Sequence, residues 1–496
     1  HLDLTRVSIS GLQYVRRMGL GLLVYFLTSL KGIISLYIYA KLLGAAGLGL
    51  ATLLILAATV LAPILRVNTI YTFAVFSSHL TDKNVIANNF YSALYSSLIF
   101  SVIGSGLIFL GALSLNILSD EVWFYLLLVV LFAFAINYKD YATVLPQSYQ
   151  KAGILSIFTF FTEYSGLILS VLFIGVGYGA SGLILVHIFV YVFCATVGFY
   201  YIYRDLGLVT AIDWALVKQF VVLSLPVIPL AFSQWIVQSL DQYLVAYFHN
   251  VEKVGIYAAA MTISSVIMIA YSALTYTFGS AVFRFWTQGE KERFSRYVFS
   301  TLKWGIVLFS LGSALLYIGS TWLIQFLVSA EFSDAEQVIL PLALARSLGA
   351  ISLIISTVLY TVRKPILILW AFLITALINI VLNLLLIPEW SVMGAVVATL
   401  ISYGVSSIIL LLYIKNNIRL TWPRADLGKS VLFAVVIISL SLIIKPLASV
   451  SLLSLILSVL LIGCSSLLMV WLIRMITAEE MKIVQSMVAF RRIFQG

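Results

Sequence analysis

Long apolar runs joined by short polar segments occupy almost the whole chain. Hydrophobic residues make up 62% of the 496 residues and charged residues only 10%, whereas about a quarter of the residues in a soluble domain are charged. In lipid every backbone N–H and C=O must be paired within the protein, so these runs predict membrane-spanning helices. The predicted fold class is an all-α polytopic membrane protein with about 14 transmembrane helices. The predicted spans are residues 14–40, 47–78, 87–114, 121–147, 152–176, 180–203, 216–248, 254–284, 296–328, 336–361, 364–388, 392–414, 429–447 and 450–475.

Residues in the second part of the chain repeat residues of the first part at a nearly constant spacing. This repetition indicates an internal duplication. Each copy holds six predicted spans, an even number, so both copies enter the membrane in the same direction. We therefore expect two six-helix lobes related by a pseudo-two-fold axis along the membrane normal, at residues 1–210 and 211–415. Residues 416–496 would add two helices and an amphipathic cytoplasmic tail. Duplicated bundles usually surround a transport pathway between their halves. The aligned pairs are Gly49 and Gly255, Tyr71 and Tyr276, Lys151 and Arg363, Phe160 and Phe372, Gly182 and Gly394, and Tyr191 and Tyr403.

The distribution of basic residues predicts the orientation in the membrane. With the N-terminus inside, most Lys and Arg residues fall in the predicted inner segments, and the outer segments hold Lys41, Lys253 and Lys445. This asymmetry predicts cytoplasmic N- and C-termini. The net charge of +10 then reflects topology and affinity for anionic membrane lipids, and does not indicate a nucleic-acid partner.

A capping-box pattern, Thr477-Ala-Glu-Glu480, follows the last predicted span. It predicts a short helix that lies in the membrane interface, with apolar residues on one face and basic residues elsewhere. The alternative is a solvated, frayed C-terminus.

Four cations fall inside predicted spans, where a charge at the bilayer centre costs at least ~2.5–3.5 kcal/mol and therefore faces protein or water. Lys31, Arg66 and Arg346 lie deep in their spans. Lys303 lies nearer the inner end, where its side chain could also reach the membrane surface. We expect these cations to line a weakly positive, water-filled cavity between the lobes that binds an anion such as a pyrophosphate head-group. For Arg66, a role in the core or in bridging the lobes is the alternative.

Three acids lie in the spans as well: Asp140, Glu163 and Asp241. Asp140 adjoins Lys139 and indicates a local ion pair, whereas Glu163 and Asp241 are candidates for coupling transport to an ion gradient. The repeat places Asp241 at the level of Ser35, one turn from Lys31. One hypothesis is that Lys31 and Asp241 approach each other across the lobes, and the alternative is that each pairs within its own lobe. His187, alone in an apolar helix, is predicted only to pack.

Sequence signatures of enzymes are weak in this chain. The segment Pro423 to Ser430 resembles the end of a P-loop, but Pro423 replaces its first Gly and no strand precedes it. Cys194 and Cys464 lie in apolar runs and suggest neither a disulfide framework nor a metal site. The predicted outer loops are too short for a catalytic domain. The prediction is a chain that is not an enzyme and holds no metal or cofactor.

Five motifs recur in a recognisable order along the chain. They are Leu42-Leu-Gly-Ala-Ala-Gly-Leu-Gly49, Leu225-Pro-Val-Ile-Pro229 with Trp235, Asp241 and Tyr243, Val254-Gly-Ile-Tyr257, Asn383-Leu-Leu-Leu-Ile-Pro388, and Gly394-Ala395. Their order and spacing, more than any one motif, resemble polysaccharide-transporter (Wzx-type) flippases, a family of the multidrug/oligosaccharidyl-lipid/polysaccharide exporter superfamily. The resemblance covers essentially the whole chain.

The resemblance implies an alternating-access transporter in a bacterial or archaeal plasma membrane. Such a protein would move an undecaprenyl-pyrophosphate-linked oligosaccharide from the cytoplasmic to the outer leaflet for assembly of surface polysaccharide such as O-antigen. It also implies a positively charged cavity, coupling to a proton or sodium gradient, and a polysaccharide polymerase as a partner. The assignment of Lys31, Arg66, Arg346 and Lys303 to the cavity rests on depth and charge alone.

Three alternatives to a flippase remain open from the sequence. A cation-coupled multidrug exporter of the same superfamily would favour acids in the cavity, whereas cations prevail here. A membrane glycosyltransferase or polymerase would need larger outer loops. A scramblase or scaffold without coupling is compatible with the same pattern.

Overall fold

The computed structural model describes residues 11–67, 69–77, 80–115, 119–148, 152–225, 227–275, 278–418, 422–477 and 480. These residues are overwhelmingly helical and include no β-strand, which confirms the predicted all-α fold. A π-helical segment follows α5 at Ile174–Tyr178 and another follows α8 at Ile236–Leu240, and a 3₁₀ turn covers Ala330–Phe332. The α-helices are α1 (Gly11–Leu65), α2 (Thr69–Ser77), α3 (Lys83–Leu115), α4 (Asp120–Ser148), α5 (Ala152–Phe173), α6 (Gly179–Leu206), α7 (Trp214–Ser224), α8 (Val227–Trp235), α9 (Asp241–Phe248), α10 (Val251–Ser264), α11 (Val266–Thr275), α12 (Phe278–Thr287), α13 (Lys291–Leu327), α14 (Ala335–Thr361), α15 (Pro365–Asn417), α16 (Arg424–Ala448) and α17 (Leu452–Leu472).

Ten helical stretches of the described chain are long and apolar enough to cross a membrane, or eleven if the bent pair Trp214–Ser224 and Val227–Phe248 forms one span. The protein is therefore a multi-pass membrane protein. Three of the ten contain a residue with non-helical backbone: Gly44 (φ 67°), Gly177 (φ 102°) and Ser391 (φ 50°). Each of these breaks falls between two predicted spans. The total of about 14 helices stays a prediction.

Contacts group the chain into two compact units. Unit 1 comprises residues 1–262, 327–332 and 372–398, and unit 2 comprises residues 263–326, 333–371 and 399–496. The predicted lobe boundaries at residues 210 and 415 follow the internal repeat of the sequence, whereas the two units follow contacts in the structure. The lobe boundaries therefore stay a prediction.

Unit 1 holds its core where α2, α3, α4 and α7 meet. Phe73, Phe90, Tyr141 and Phe220 are fully buried there, and Phe90 meets the Phe73 ring edge-on at 5.6 Å between centroids. The buried Tyr141 hydroxyl is hydrogen-bonded to Thr69 (2.8 Å) and donates to the Ala93 carbonyl (3.0 Å). Its polar end is thereby satisfied inside an otherwise apolar cluster.

Unit 2 places the two C-terminal helices against α13. Phe433 and Ile437 of α16, Ile462 of α17 and Val307 of α13 share one buried cluster. Lys445 near the end of α16 pairs with Glu336 at 2.8 Å, and its ammonium also donates to the Tyr317 carbonyl at 2.9 Å and to the Ser320 hydroxyl. Lys445 is thus neutralised by a partner within its own unit.

Candidate functional site

Helices α1, α4, α5 and α6 pack together within unit 1 and carry the candidate site. A small residue allows α4 and α6 to approach closely. A Cβ at Gly198 would lie 2.9 Å from the Cβ of Ala142 and 3.4 Å from the Phe158 ring. Close packing through small residues is the usual way in which helices associate in lipid. Each of the four helices then presents ionisable or aromatic side chains to its neighbours.

Lys31 of α1 and Glu163 of α5 form an ion pair, with 2.9 Å between Nζ and Oε2. Their side chains are only 16% and 20% exposed, so water screens the attraction little. Lys139 and His187 also act electrostatically on Glu163. Of the two alternatives left by the sequence, the structure shows pairing within one lobe for Lys31.

Arg66 forms the second ion pair, 2.7 Å from Asp140. It directly follows the last residue of α1, and its side chain is 11% exposed. The predicted local pair between Lys139 and Asp140 is present but looser, at 3.8 Å. The sequence therefore identified the weaker of the two partners of Asp140 and missed the closer one, which lies 74 residues away along the chain.

An aromatic wall borders these pairs. The Lys139 ammonium lies 4.4 Å from the ring centroid of Tyr191, and Tyr191 contacts Phe132 and His187 at 5.7 and 5.9 Å between centroids. The buried His187 ring also pairs through Nδ1 with the Leu183 carbonyl at 2.8 Å. His187 packs among these groups as predicted.

We call Lys31, Arg66, Lys139, Asp140 and Glu163 the unit 1 charge cluster. Its three cations exceed its two carboxylates, so the cluster keeps a positive charge with every group ionised. A net cation amid apolar helices attracts an anion. An entering anion must compete with Glu163 for Lys31 and with Asp140 for Arg66, because both cations already have a carboxylate partner. Lys31 and Arg66 are therefore paired with carboxylates, and the open cationic cavity expected from the sequence stays a prediction.

Asp241, the second coupling candidate, is buried elsewhere in unit 1 and is 1% exposed. One of its carboxylate oxygens accepts a hydrogen bond from the Tyr257 hydroxyl at 2.5 Å, and the other accepts from the Gln242 N–H at 2.9 Å. The π-helical segment Ile236–Leu240 ends immediately before Asp241. Such π-bulges are frequent at functional sites. The hypothesis that Lys31 approaches Asp241 was wrong about the partner of Lys31, which is Glu163.

The remaining two predicted cavity cations lie in unit 2. Arg346 is half-buried near the middle of α14. Lys303 of α13 is 3% exposed, and its ammonium lies 2.7 Å from both carboxylate oxygens of Glu480. It also donates to the Met475 carbonyl at 3.2 Å. Lys303 thus binds the C-terminal segment, a role that the sequence did not reveal. No result bears on substrate binding by either cation, which stays a prediction.

The predicted capping box is present. Thr477 donates its backbone N–H (2.9 Å) and its hydroxyl (3.1 Å) to Glu480, and the Glu480 N–H donates back to the Thr477 hydroxyl at 3.3 Å. The interfacial helix expected beyond it lies outside the described residues. Within the described part of the chain, no group of three or more His, Cys, Asp or Glu side chains is placed to hold a metal ion.

An apolar cavity of about 870 Å³ lies between α4, α5 and α6 of unit 1. Its volume is within the range of about 300–1,000 Å³ that is typical of small-molecule sites. Aliphatic and aromatic side chains from all three helices line it, among them Leu145, Ile157, Phe161, Phe189 and Phe193.

Two sequence comparisons each match part of the chain. Residues 226–385 match the MatE family model. The probable low-salt glycan biosynthesis flippase Agl15 of Haloferax volcanii is 22% identical over 189 residues, which are 38% of this chain and 40% of that protein. The chain thus aligns with about two fifths of the length of this curated relative.

Solved structures of transporters superpose over most of the chain. The lipid II flippase MurJ in an inward closed conformation gives a TM-score of 0.70 at 16% identity, over 89% of this chain and 97% of that chain. An inward-facing multidrug resistance transporter of the MATE family and the MOP superfamily gives 0.63 at 14% identity, over 81% and 98%. An outward-facing MATE family transporter gives 0.55 at 15% identity, over 81% and 93%.

At these identities the structural likenesses show the fold. The matched proteins are flippases and transporters, which agrees with the prediction of a chain that is not an enzyme. Residues 226–385 thus match the MatE family model, and the chain shares the fold of MurJ and the MATE transporters, which agrees with the resemblance to the multidrug/oligosaccharidyl-lipid/polysaccharide exporter superfamily expected from the sequence.

Proposed function

We propose that this protein is a flippase that moves an undecaprenyl-pyrophosphate-linked oligosaccharide from the cytoplasmic to the outer leaflet by alternating access. The observation that carries the proposal is the unit 1 charge cluster, whose positive excess lies among membrane-spanning helices. Two proteins similar to this chain, Agl15 and MurJ, are themselves described as flippases for glycan biosynthesis and for lipid II.

The substrate class suits this arrangement. A pyrophosphate carries several negative charges and strong acceptor oxygens, and the fork of an Arg guanidinium matches such oxygens in geometry. Lys31 and Arg66 would each exchange a carboxylate for a phosphate oxygen as the head-group enters. The polyprenyl tail would stay in hydrocarbon throughout, and the apolar cavity between α4, α5 and α6 offers a surface of that character.

Alternating access of two lobes, at residues 1–210 and 211–415, would carry the head-group across. A proton or sodium gradient would drive the cycle through Asp241 or Glu163. Bacterial or archaeal plasma membrane, cytoplasmic termini and a polysaccharide polymerase as a partner belong to the same proposal.

A transport assay in proteoliposomes tests the function. The substrate is a radiolabelled polyprenyl-pyrophosphate-linked disaccharide, and its appearance in the opposite leaflet is read with a membrane-impermeant glycosidase. The double variant Lys31→Met/Glu163→Gln removes both charges of one pair and so leaves no buried charge alone. We expect its rate to fall at least about tenfold, which corresponds to about 1.4 kcal/mol.

Lys83→Met is the matched control, because Lys83 forms a 2.6 Å ion pair with Asp205 in the same unit but its side chain is 65% exposed. Its rate should equal that of the wild type. An unchanged rate in the double variant would remove Lys31 from the proposed binding site.

A cation-coupled multidrug exporter is the second candidate. The MatE match over residues 226–385 and the superposition on MATE family transporters favour it. The same proteoliposomes discriminate the two functions. Export of a cationic dye against an imposed proton or sodium gradient, without movement of the lipid-linked disaccharide, would select the exporter.

A further inference from the structure

Two glycines let α1 and α10 touch backbone to backbone within unit 1. A Cβ placed on Gly49 would lie 2.0 Å from the Val251 carbonyl oxygen, and one on Gly255 would lie 1.9 Å from the Ala45 carbonyl oxygen. Real Cβ atoms essentially never come closer than 3.0 Å to a heavy atom. The obstacles are main-chain carbonyls, which cannot swing aside as a flexible side chain can. Only glycine fits at either position.

The contact is reciprocal under the internal repeat. The duplication aligns Gly49 with Gly255, and the same offset aligns Ala45 with Val251. Each glycine therefore meets the carbonyl group four residues before the other glycine. A self-complementary contact of this kind is what a two-fold axis generates. The crossing of α1 and α10 thus lies where the axis relating the two repeats is expected.

Two further contacts join the repeats at the same crossing. Gly44, with φ 67°, interrupts α1. The next residue, Ala45, donates its N–H to a Glu331 carboxylate oxygen at 3.2 Å, so Glu331 acts as a cap for the helical segment that begins there. Nearby, the Tyr243 hydroxyl donates to the Leu53 carbonyl at 2.7 Å. Glu331 and Tyr243 both belong to the second predicted repeat, whereas Ala45 and Leu53 belong to the first.

We propose that the Gly49–Gly255 crossing is a closed gate, with Glu331 as its latch, on the side of the membrane that bears Lys41 and Lys253. Basic residues are scarce on that side, which the charge asymmetry identifies as the outer one. The gate opens when α1 and α10 part, and bare backbone at the crossing allows the two helices to close without a gap. A methyl group on either glycine holds the helices apart and favours the outward-open state. The proposal rests on the proposed function only in that the two repeats must separate.

Cysteine labelling tests the gate independently of any substrate. In a background with Cys194 and Cys464 replaced by Ser, Thr52→Cys places a reporter one turn beyond Gly49 on α1. A membrane-impermeant maleimide is added to intact cells and, separately, to inverted vesicles. We expect Gly49→Ala and Gly255→Ala each to raise labelling in intact cells at least about fivefold, since a bias of 1.4 kcal/mol already changes a population ratio tenfold.

Gly106→Ala and Gly463→Ala are the matched controls. A Cβ at either position meets no atom within 4 Å, so their labelling should equal that of the reporter alone. Glu331→Gln keeps the glycine contact and weakens only the latch. It should raise labelling about two- to fivefold, as expected for a capping interaction of about 0.5–1 kcal/mol.

The results separate the gate from the proposed function. Unchanged labelling in folded Gly49→Ala and Gly255→Ala overturns the gate, as does an increase confined to inverted vesicles. If the glycine variants fail to fold, Glu331→Gln decides, and labelling at the wild-type level refutes the latch and the gate with it. Failure of the lipid-linked disaccharide to move in the transport assay would leave the labelling result intact.

Discussion

Glu480 should fasten the C-terminal segment to α13, and replacing it with Gln should release that segment. Its carboxylate accepts hydrogen bonds from the ammonium of Lys303, from Ser300 (2.9 Å), from Trp304 (2.9 Å) and from Thr477. Burial alone would raise the pKa of Glu480. The donors, with Lys303 the largest among them, outweigh burial and lower the pKa to about 2.

The size of the effect follows from that pKa. A fall of about 2 units from the ordinary glutamate value corresponds to about 3 kcal/mol, at 1.36 kcal/mol per unit. The Glu480 side chain is 21% exposed, and solvent screening reduces the figure to about 1–2 kcal/mol. Glu480→Gln also leaves the ammonium of Lys303, whose side chain is 4% exposed, without its counter-charge, which adds a cost. We expect Glu480→Gln to destabilise the attachment by about 2–3 kcal/mol in total.

Hydrogen exchange of the backbone amides at residues 475–477 and 480 measures this attachment, because local opening exposes them. Their protection should fall roughly 30- to 150-fold in Glu480→Gln, at tenfold per 1.4 kcal/mol. Asp426→Asn is the control, since Asp426 pairs with Lys429 at 3.6 Å on a partly exposed helix face. Such a pair contributes at most about 1 kcal/mol. Amide protection at residues 475–477 and 480 that is the same in Glu480→Gln and Asp426→Asn would refute the reasoning.

The pH dependence of the attachment has a definite sign. The folded pKa lies below the unfolded one, so the stabilisation is complete above the ordinary glutamate pKa of about 4.3 and is lost as the pH falls toward 2. Between pH 5 and 8 the wild-type attachment should therefore not change through Glu480.

Three other substitutions in unit 1 probe separate contacts, each read as the unfolding midpoint of the purified protein in detergent. Asp140→Asn should lower the free energy of unfolding by about 3 kcal/mol, because it leaves the buried Arg66 without its 2.7 Å counter-charge. An unfolding midpoint equal to that of the wild type would contradict the pairing. Tyr257→Phe should cost about 1.5–3 kcal/mol through the lost hydrogen bond to buried Asp241; a loss no larger than that of an exposed tyrosine would argue against that bond. Gly198→Val should cost about 1–3 kcal/mol by forcing α4 from α6, and full tolerance would mean that the helices are not in close contact.

Features that depend on neighbouring residues could be predicted from the sequence. The capping box at Thr477 and Glu480 needs only four consecutive residues, and the structure contains its hydrogen bonds. The breaks at Gly44 and Ser391 lie between predicted spans because Gly tolerates a positive φ and a Pro-containing turn interrupts the apolar pattern. The presence of helices could be predicted as well, because a backbone in lipid must pair its N–H and C=O groups within the protein and few other arrangements achieve this.

The partners of the intramembrane charges could not be predicted. Lys31 pairs with a residue 132 positions away and Lys303 with one 177 positions away. Helix periodicity places a charge on a face of its own helix and says nothing about which helix faces it. The sequence therefore predicts a net excess of cations in the spans. It does not predict that Glu163, Asp140 and Glu480 neutralise them.

The Lys31–Glu163 pair bears on which acid couples transport to a gradient. Glu163 holds Lys31 when it is ionised and releases it when it binds a proton, so a phosphate bound to Lys31 and a proton bound to Glu163 favour each other. Linkage makes this effect reciprocal. If an inward-moving proton is exchanged for an outward-moving substrate, binding of the proton must instead weaken binding of the substrate, and binding of the substrate must weaken binding of the proton. Under exchange, Glu163 therefore cannot be the coupling acid through Lys31, and Asp241 becomes the candidate. Under cotransport the argument reverses and Glu163 is favoured, so whether substrate binding takes up or releases protons decides between the two acids.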